Sequence, residues 1–220
     1  MSDDHPSLIP PSKLTLSKER WAREGRLPAR GPARAESERL PPGQHTVSNW
    51  PVLDLGEQPE VLQQDWRLHL IGAIERPMIW DWQQLLQQPQ VGSVSDIHCV
   101  TSWSRYDNQW EGVSTRDILE AVRPHDDARY VLLHSYDGYT TNLSLDDFAA
   151  EDALLAHSWM GQPLTTEHGA PARLIVPHLY FWKSAKWIRQ IEFRVNDAPG
   201  FWEVRGYHNR GNPWDEERYS

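Results

Sequence analysis

Short predicted strands follow one another along most of this chain, with few helices between them. Hydrophobic alternation and turn residues predict about seven strands and roughly three or four short helices. So few helices cannot cover both faces of a parallel sheet. The expected fold class is therefore α+β, built from mixed β-sheets with a few short helices.

Turn and capping residues set the boundaries of several predicted elements. A serine followed three residues later by an aspartate is a capping box, and this pattern predicts helices that begin after Ser114 and Ser144. Asp137-Gly138 predicts a two-residue hairpin turn between two strands. The polar run from Ser102 to Gln109 predicts a loop that follows a strand over 94–100.

The first 45 residues differ in composition from the remainder. They are rich in proline and in charged residues, and they are slightly basic, whereas residues 46–220 are strongly acidic. We therefore expect a Pro- and charge-rich N-terminal tail over 1–45 and one domain over 46–220. Lys18–Glu24 could form a short helix within the tail, and the prolines that follow prevent a long one.

Charge and cysteine content exclude several functional classes. The single cysteine excludes a disulfide framework and every multi-cysteine metal site. A net charge of −9 argues against a nucleic-acid partner. No apolar run approaches the roughly 18 residues that a membrane span needs. With no recognisable export signal and one unpaired cysteine, we expect a cytoplasmic protein.

Two regions contain residues suited to chemistry. Cys99 lies at the end of a predicted strand that opens into a loop, where sites are often built, although a buried cysteine can equally be a small apolar core residue. Arg173, Lys183 and Lys186 surround Ser184 among aromatic residues. They could form an anion site within an acidic domain, or the solvated basic edge of a strand. Residue types alone leave both questions open.

Four separated motifs, in order, resemble the molybdopterin-binding domain of the sulfite oxidase family, and in particular its small bacterial oxidoreductases. The similarity runs from about residue 44 to the C-terminus. The motifs are His98-Cys99-Val100 with Trp103-Ser104, the run Tyr139-Thr140-Thr141-Asn142, His168-Gly169 with Pro171 and Arg173, and Lys183-Ser184 with Lys186-Trp187.

This resemblance implies a sulfite-oxidase-type fold, a molybdenum–molybdopterin cofactor and roles for individual residues. Cys99 matches the cysteine that binds the metal, and a thiolate is a suitable soft ligand beside the sulfurs of the pterin. Tyr139 matches the active-site tyrosine, whose hydroxyl can donate a hydrogen bond to an oxygen near the metal. The residues that match cofactor contacts are Asn49, Ser135, His168, Arg173, Ser184, Ala185 and Lys186.

One departure from the family bears on the substrate. Sulfite oxidases carry an arginine where this chain has Ser48, and that arginine helps to hold the sulfite anion. A neutral oxide needs only a hydrogen-bond donor, which Tyr139 can provide. We therefore expect oxygen-atom transfer that reduces a small S-oxide or N-oxide. Arg105, six residues after Cys99, could supply a cation that binds sulfite.

Other functions stay open beside this expectation. Sulfite oxidation is one alternative, and a non-catalytic molybdopterin carrier or sensor is another. A third is an interaction module with an inert Cys99. Because the sequence contains no second redox site, catalysis would require a separate electron-transfer partner, such as a flavoprotein, a haem protein or a quinone pathway.

Overall fold

The computed structural model describes residues 29–30 and 38–220, so the helix predicted over 18–24 lies outside the described residues. The described chain forms short strands and three α-helices. The strands are β1 (Ala29–Arg30), β2 (His45–Thr46), β3 (Arg67–Gly72), β4 (Met78–Asp81), β5 (Gln90–His98), β6 (Trp103–Ser114), β7 (Tyr130–Ser135), β8 (Thr140–Ser144), β9 (Leu154–Trp159), β10 (Gln162–Pro163), β11 (Arg173–Ile175) and β12 (Ile188–Arg194). The helices are α1 (Trp82–Gln87), α2 (Thr115–Val122) and α3 (Leu145–Phe148).

The strands form two sheets that both mix parallel and antiparallel pairs. The first sheet has the order β1-β5-β6-β9-β10, with β2 added to β6 and β11 added to β9. The second has the order β4-β3-β12-β7-β8. In the second sheet β12 runs parallel to β3 and antiparallel to β7. Mixed sheets with few, short helices confirm the predicted α+β class.

The capping serines act as the sequence predicts. The Ser144 hydroxyl accepts a hydrogen bond from the backbone N–H of Asp147 and begins α3. The Ser114 hydroxyl accepts from the N–H of Arg116 and begins α2. These bonds satisfy N–H groups that the first turn of a helix leaves without partners. The predicted hairpin is also present, because β7 and β8 pair antiparallel on either side of the turn at 136–139.

The loop predicted over 102–109 is wrong, because most of this segment belongs to the twelve-residue strand β6. Its backbone pairs with β5 on one side and with β9 on the other. Two of the polar side chains that suggested a loop, those of Asp107 and Asn108, bond to residues that are distant in sequence. Asn108 donates to the carbonyl oxygen of Ser95, and Arg39 pairs with Asp96 and Asp107. Partners distant in sequence therefore override the local polarity.

Part of the segment expected as a tail contacts the domain. β1 pairs in parallel with β5, and β2, which begins at His45, pairs in parallel with β6. The boundary at residue 45 stays a prediction. Among the described residues, no helix is long and apolar enough to cross a membrane.

The buried apolar side chains form two clusters. The larger cluster includes Trp66, Val131, Phe193 and the buried face of α2. The smaller cluster contains Cys99 together with Trp50, Trp103 and Tyr180. The second cluster therefore places the single cysteine beside a wall of aromatic side chains.

Candidate active site

A cavity of about 180 Å³ lies beside Cys99, and it brings together most of the residues that the sequence analysis selected. Residues from β11, from the turn before β8 and from the loop before β12 reach it. The selected residues that line it are Cys99, Tyr139, His168, Arg173, Ser184, Ala185 and Lys186. Segments that are distant in sequence thus meet at one pocket, as the four motifs together require.

Cys99 occupies the tight turn that joins β5 to β6. Its carbonyl oxygen accepts a hydrogen bond from the N–H of Ser102 at 3.0 Å, and its own N–H donates to the carbonyl of Trp103 at 2.8 Å. The side chain is 5% exposed, and its sulfur lies 3.1 Å from the hydroxyl of Thr101. Burial raises the pKa of the Cys99 thiol, while the Thr101 hydrogen bond and the charge of Arg218 partly offset this effect. A bound metal would deprotonate such a thiol.

Arg173 is a buried cation, 2% exposed, that lies between aromatic rings. Its guanidinium carbon lies 4.4 Å from the ring centre of Phe181 and 5.3 Å from that of Trp50. It donates to the carbonyl oxygens of His168 and Ser184, at 2.9 and 2.7 Å, and burial lowers its pKa to about 9. Within the described part of the chain, no carboxylate forms an ion pair with it.

Lys186 is the second cation of the pocket. Its ammonium donates to the carbonyl of Glu167 at 2.9 Å and lies 4.1 Å from the ring centre of Trp187. Burial and the nearby charge of Arg173 lower its pKa to about 8. Two cations that repel each other, without an ion-paired carboxylate among the described residues, are a favourable setting for an anion.

Two further observations test whether the pocket fits a molybdopterin phosphate. The Nε of Arg173 is buried and has no hydrogen-bond partner among the described residues, so one of its strong donors is available. Gly169, with φ +104°, lies so close that a Cβ there would be 3.0 Å from the Cβ of Lys186 and 3.2 Å from that of Arg173. Gly169 therefore lets its turn pack directly against the two cationic side chains. The two cations, one of them with an available donor, fit an anionic group.

His168 contributes a ring rather than a charge. Its imidazole stacks on the ring of Trp50, with centres 3.9 Å apart. The Nδ1 lies 2.9 Å from the hydroxyl of Thr165, and the Nε2 lies 3.3 Å from the carbonyl oxygen of Trp50. Burial lowers the pKa of His168, so the imidazole is neutral near pH 7.

Tyr139 lines the pocket, but its hydroxyl already has a partner. It donates a hydrogen bond to the carbonyl oxygen of Trp182 at 2.7 Å. Burial, with the nearby charge of Glu203, raises the pKa of Tyr139 well above its usual value, so the phenol stays protonated. To donate to a substrate oxygen, this hydroxyl would have to turn away from Trp182.

Two of the selected residues are not among those that line the pocket. Asn49 is exposed and precedes the pocket residue Trp50. Ser135 is buried at the end of β7, and its hydroxyl has no hydrogen-bond partner within the described part of the chain. Ser184, by contrast, uses its hydroxyl to accept from the N–H of Val176, so it holds the loop in place as well as lining the pocket.

Two cations considered from sequence do not line the pocket. Lys183 is fully buried and pairs with Glu203 at 2.6 Å, and it does not line the pocket, although its neighbour Trp182 does. Lys183 is therefore not one of the cations of the pocket that could bind an anion. Arg105 stacks over the ring of Trp159 at 4.7 Å and also lies outside the lining.

Sequence reasoning missed most of the aromatic wall. Five of the described tryptophans line the pocket, and only Trp103 and Trp187 of these five stand in the four sequence motifs. The tryptophan content, 12 of 220 residues, is an available signal, but it does not say which tryptophans are core. The other three are Trp50, Trp182 and Trp202.

Three known proteins are similar to this chain, two of them in sequence and one in structure. The oxidoreductase YuiH of Bacillus subtilis is 48% identical over 84% of this chain and 94% of its own length. The catalytic subunit MsrP of protein-methionine-sulfoxide reductase from Campylobacter jejuni is 29% identical over 64% of this chain, which spans about half of MsrP, 52%. The crystal structure of the sulfane dehydrogenase SoxCD from Paracoccus pantotrophus superimposes with a TM-score of 0.61 at 19% identity, over 71% of this chain and 46% of that one.

A family model covers the central part of the chain. The description of that family is the oxidoreductase molybdopterin binding domain, and the match spans residues 55–202. This range contains Cys99, Arg173 and Lys186, and the fold and pocket agree with the match. The chain belongs to the oxidoreductase molybdopterin binding domain family, the molybdenum–molybdopterin oxidoreductases that include the sulfite oxidases.

Proposed function

We propose that this protein reduces a small neutral S-oxide or N-oxide by oxygen-atom transfer, with Cys99 as the protein ligand to molybdenum. The observation that carries the proposal is the shared pocket, in which Cys99 lies in the same cavity as Arg173 and Lys186. A soft ligand and an anion-binding pair in one cavity suit a cofactor that has both a metal and a phosphate.

The chain's own residues would hold the cofactor at separate points. Arg173 and Lys186 would bind its phosphate, and Gly169 would let its turn pack against both of these side chains. The stacked rings of Trp50 and His168 would pack beside it and exclude water. The bound cofactor supplies the two-electron chemistry, while the protein supplies ligation, orientation and a shaped pocket.

The charges that line the pocket favour a neutral substrate over sulfite. Of the described residues that line it, the arginine and lysine are Arg173 and Lys186, and both are assigned here to the cofactor phosphate. Ser48 carries no charge, and Arg105 lies outside the lining, so neither position supplies a cation to the pocket.

The relatives named as methionine-sulfoxide reductases support an S-oxide as the substrate class. Reduction of a sulfoxide takes up two protons and two electrons, breaks the S–O bond and releases water. Because no second redox group is proposed within this chain, the electrons would come from a separate partner protein. We also propose a cytoplasmic location, which cell fractionation would test.

Steady-state kinetics with an artificial dye as the electron donor or acceptor tests the reaction directly. Methionine sulfoxide, dimethyl sulfoxide and trimethylamine N-oxide should be reduced, and sulfite should be oxidised slowly or not at all. Sulfite oxidation at about 10⁴ M⁻¹s⁻¹ or more, within the ordinary enzyme range, with no turnover of the oxides would reverse the proposed direction. Metal-replete protein without turnover in either direction would favour a carrier or sensor.

A further inference from the structure

The turn that carries Cys99 is bonded by a chain segment that precedes the family match at residue 55. The side-chain amide of Gln44 donates to the carbonyl oxygen of Cys99 at 2.9 Å. The backbone N–H of His45 donates to the carbonyl oxygen of Ser102 at 2.9 Å, at the other end of the turn. The two ends of the turn are thus fixed by adjacent residues of one segment.

A second segment, which follows the family match at residue 202, reaches the same turn. One amino group of Arg218 donates to the carbonyl oxygen of Val100 at 2.6 Å. Its other amino group lies 3.3 Å from the carbonyl oxygen of Pro42, so Arg218 also joins the two outer segments. The guanidinium is held over the ring of Tyr180, 5.0 Å from its centre.

The turn needs such external bonds because its own geometry is unfavourable. Ser102 has a φ of +76°, a left-handed conformation that residues other than glycine rarely adopt. Conformations of this kind persist when the surrounding structure holds them. Here the carbonyls of Cys99, Val100 and Ser102 all accept hydrogen bonds from residues outside 55–202.

We propose that Gln44 and Arg218 are positioning residues for the metal ligand, because they hold the Cys99 turn from both sides and fix the direction of its sulfur into the pocket. The proposal rests on the proposed function, in which Cys99 binds molybdenum. Groups that orient a metal ligand control the geometry and the electronic properties of the metal. Neither residue lines the pocket itself, so Gln44 would act through the turn, and Arg218 through the turn and through its charge near Cys99.

The test compares Arg218→Met and Gln44→Met with the unchanged chain and with Arg116→Met. Arg116 is a matched control because its guanidinium also donates to a distant backbone carbonyl, that of Ala149, at 2.8 Å. Each protein is purified with its cofactor. The measurements are molybdenum and pterin content, the electron paramagnetic resonance spectrum of the one-electron-reduced metal, and kcat and KM with an oxide substrate.

We expect both turn variants to retain their cofactor, because Arg173 and Lys186 are unchanged. The resonance spectrum should shift or become heterogeneous, and kcat should fall by about 10- to 100-fold while KM changes little. Arg218→Lys should restore part of the wild-type spectrum, since it can keep one bond to Val100. Arg116→Met should have the wild-type spectrum and kcat.

Wild-type spectra and kcat in both turn variants would overturn the positioning role. If Arg218→Met does not fold, Gln44→Met still decides the question. Cys99→Ala separates this failure from a failure of the proposed function. An altered metal spectrum in Cys99→Ala beside wild-type spectra in the turn variants would reject the positioning role alone, and an unaltered spectrum in Cys99→Ala would reject the metal ligand.

Discussion

Arg173 is the residue that most strongly indicates an anionic ligand. Desolvation of an unpaired guanidinium is costly, and here the described residues supply aromatic faces and two carbonyl oxygens but no ion-paired carboxylate. A bound phosphate would offset this cost, because it supplies negative charge and oxygen acceptors for the Nε of Arg173. The residue is therefore better explained by ligand binding than by stability of the empty protein.

Replacing Arg173 should separate cofactor binding from folding. We expect Arg173→Ala to purify with cofactor occupancy reduced about tenfold or more, since a buried charge partner of the phosphate is lost. Metal and pterin analysis of the purified protein measures the effect, and Arg116→Ala serves as the control. Normal occupancy in both Arg173→Ala and Lys186→Ala would contradict the assignment.

The hydroxyl of Tyr139 can be tested in the same way. Tyr139→Phe removes a donor that could stabilise charge on a substrate oxygen, so kcat should fall by about 100-fold with a smaller change in KM. Steady-state kinetics gives the two constants. If the hydroxyl serves only to bond the carbonyl of Trp182, the variant should lose thermal stability while kcat stays within twofold of wild type, roughly 0.4 kcal/mol in the barrier.

Between elements, Gly112 of β6 packs directly against the backbone of β9. A Cβ on Gly112 would lie 2.0 Å from the carbonyl oxygen of Leu155, so an alanine there must displace backbone. We expect Gly112→Ala to lower the free energy of unfolding by about 1–3 kcal/mol or more. Urea denaturation measures it, and an unchanged midpoint would show that β9 shifts without cost.

Local sequence signals predicted elements that depend on their own residues. Ser114 and Ser144 begin helices because each serine bonds a backbone N–H within its own first turn. The polar part of β6 could not be predicted, because its strand partners lie far away in the sequence. Cys99, Arg173 and Lys186 were found because they stand in family motifs, whereas Gln44 and Arg218 act only through folded contacts.

At the scale of the whole molecule, His178 links the loop after β11 to α3. Its Nε2 lies 3.0 Å from a carboxylate oxygen of Asp147, and its Nδ1 lies 3.7 Å from one of Asp152. Burial alone would lower the pKa of His178, but hydrogen bonds and charges from both aspartates raise it to about 9. The protonated imidazole therefore stabilises the fold across separate elements.

The raised pKa of His178 predicts how the stability of the protein depends on pH. The protonated His178 contributes its full stabilisation at a pH below about 6.5, the pKa of histidine in the unfolded chain. This contribution is lost as the pH rises through about 9, the pKa of His178 in the folded protein. His178→Gln should therefore be less stable than wild type at pH 6, and the difference should narrow by pH 9. Urea denaturation at several pH values measures this, and a pH-independent difference would contradict it.

The most direct test of the central claim is metal analysis and spectroscopy of the purified protein beside its Cys99→Ala variant. We predict about one molybdenum and one pterin per wild-type chain, from the single cysteine and from the pair of cations, Arg173 and Lys186, in the described pocket. In Cys99→Ala, activity should be lost and the metal spectrum altered, with some pterin retained by Arg173 and Lys186. Wild-type protein without molybdenum, or full activity and an unchanged metal spectrum in Cys99→Ala, would contradict the account.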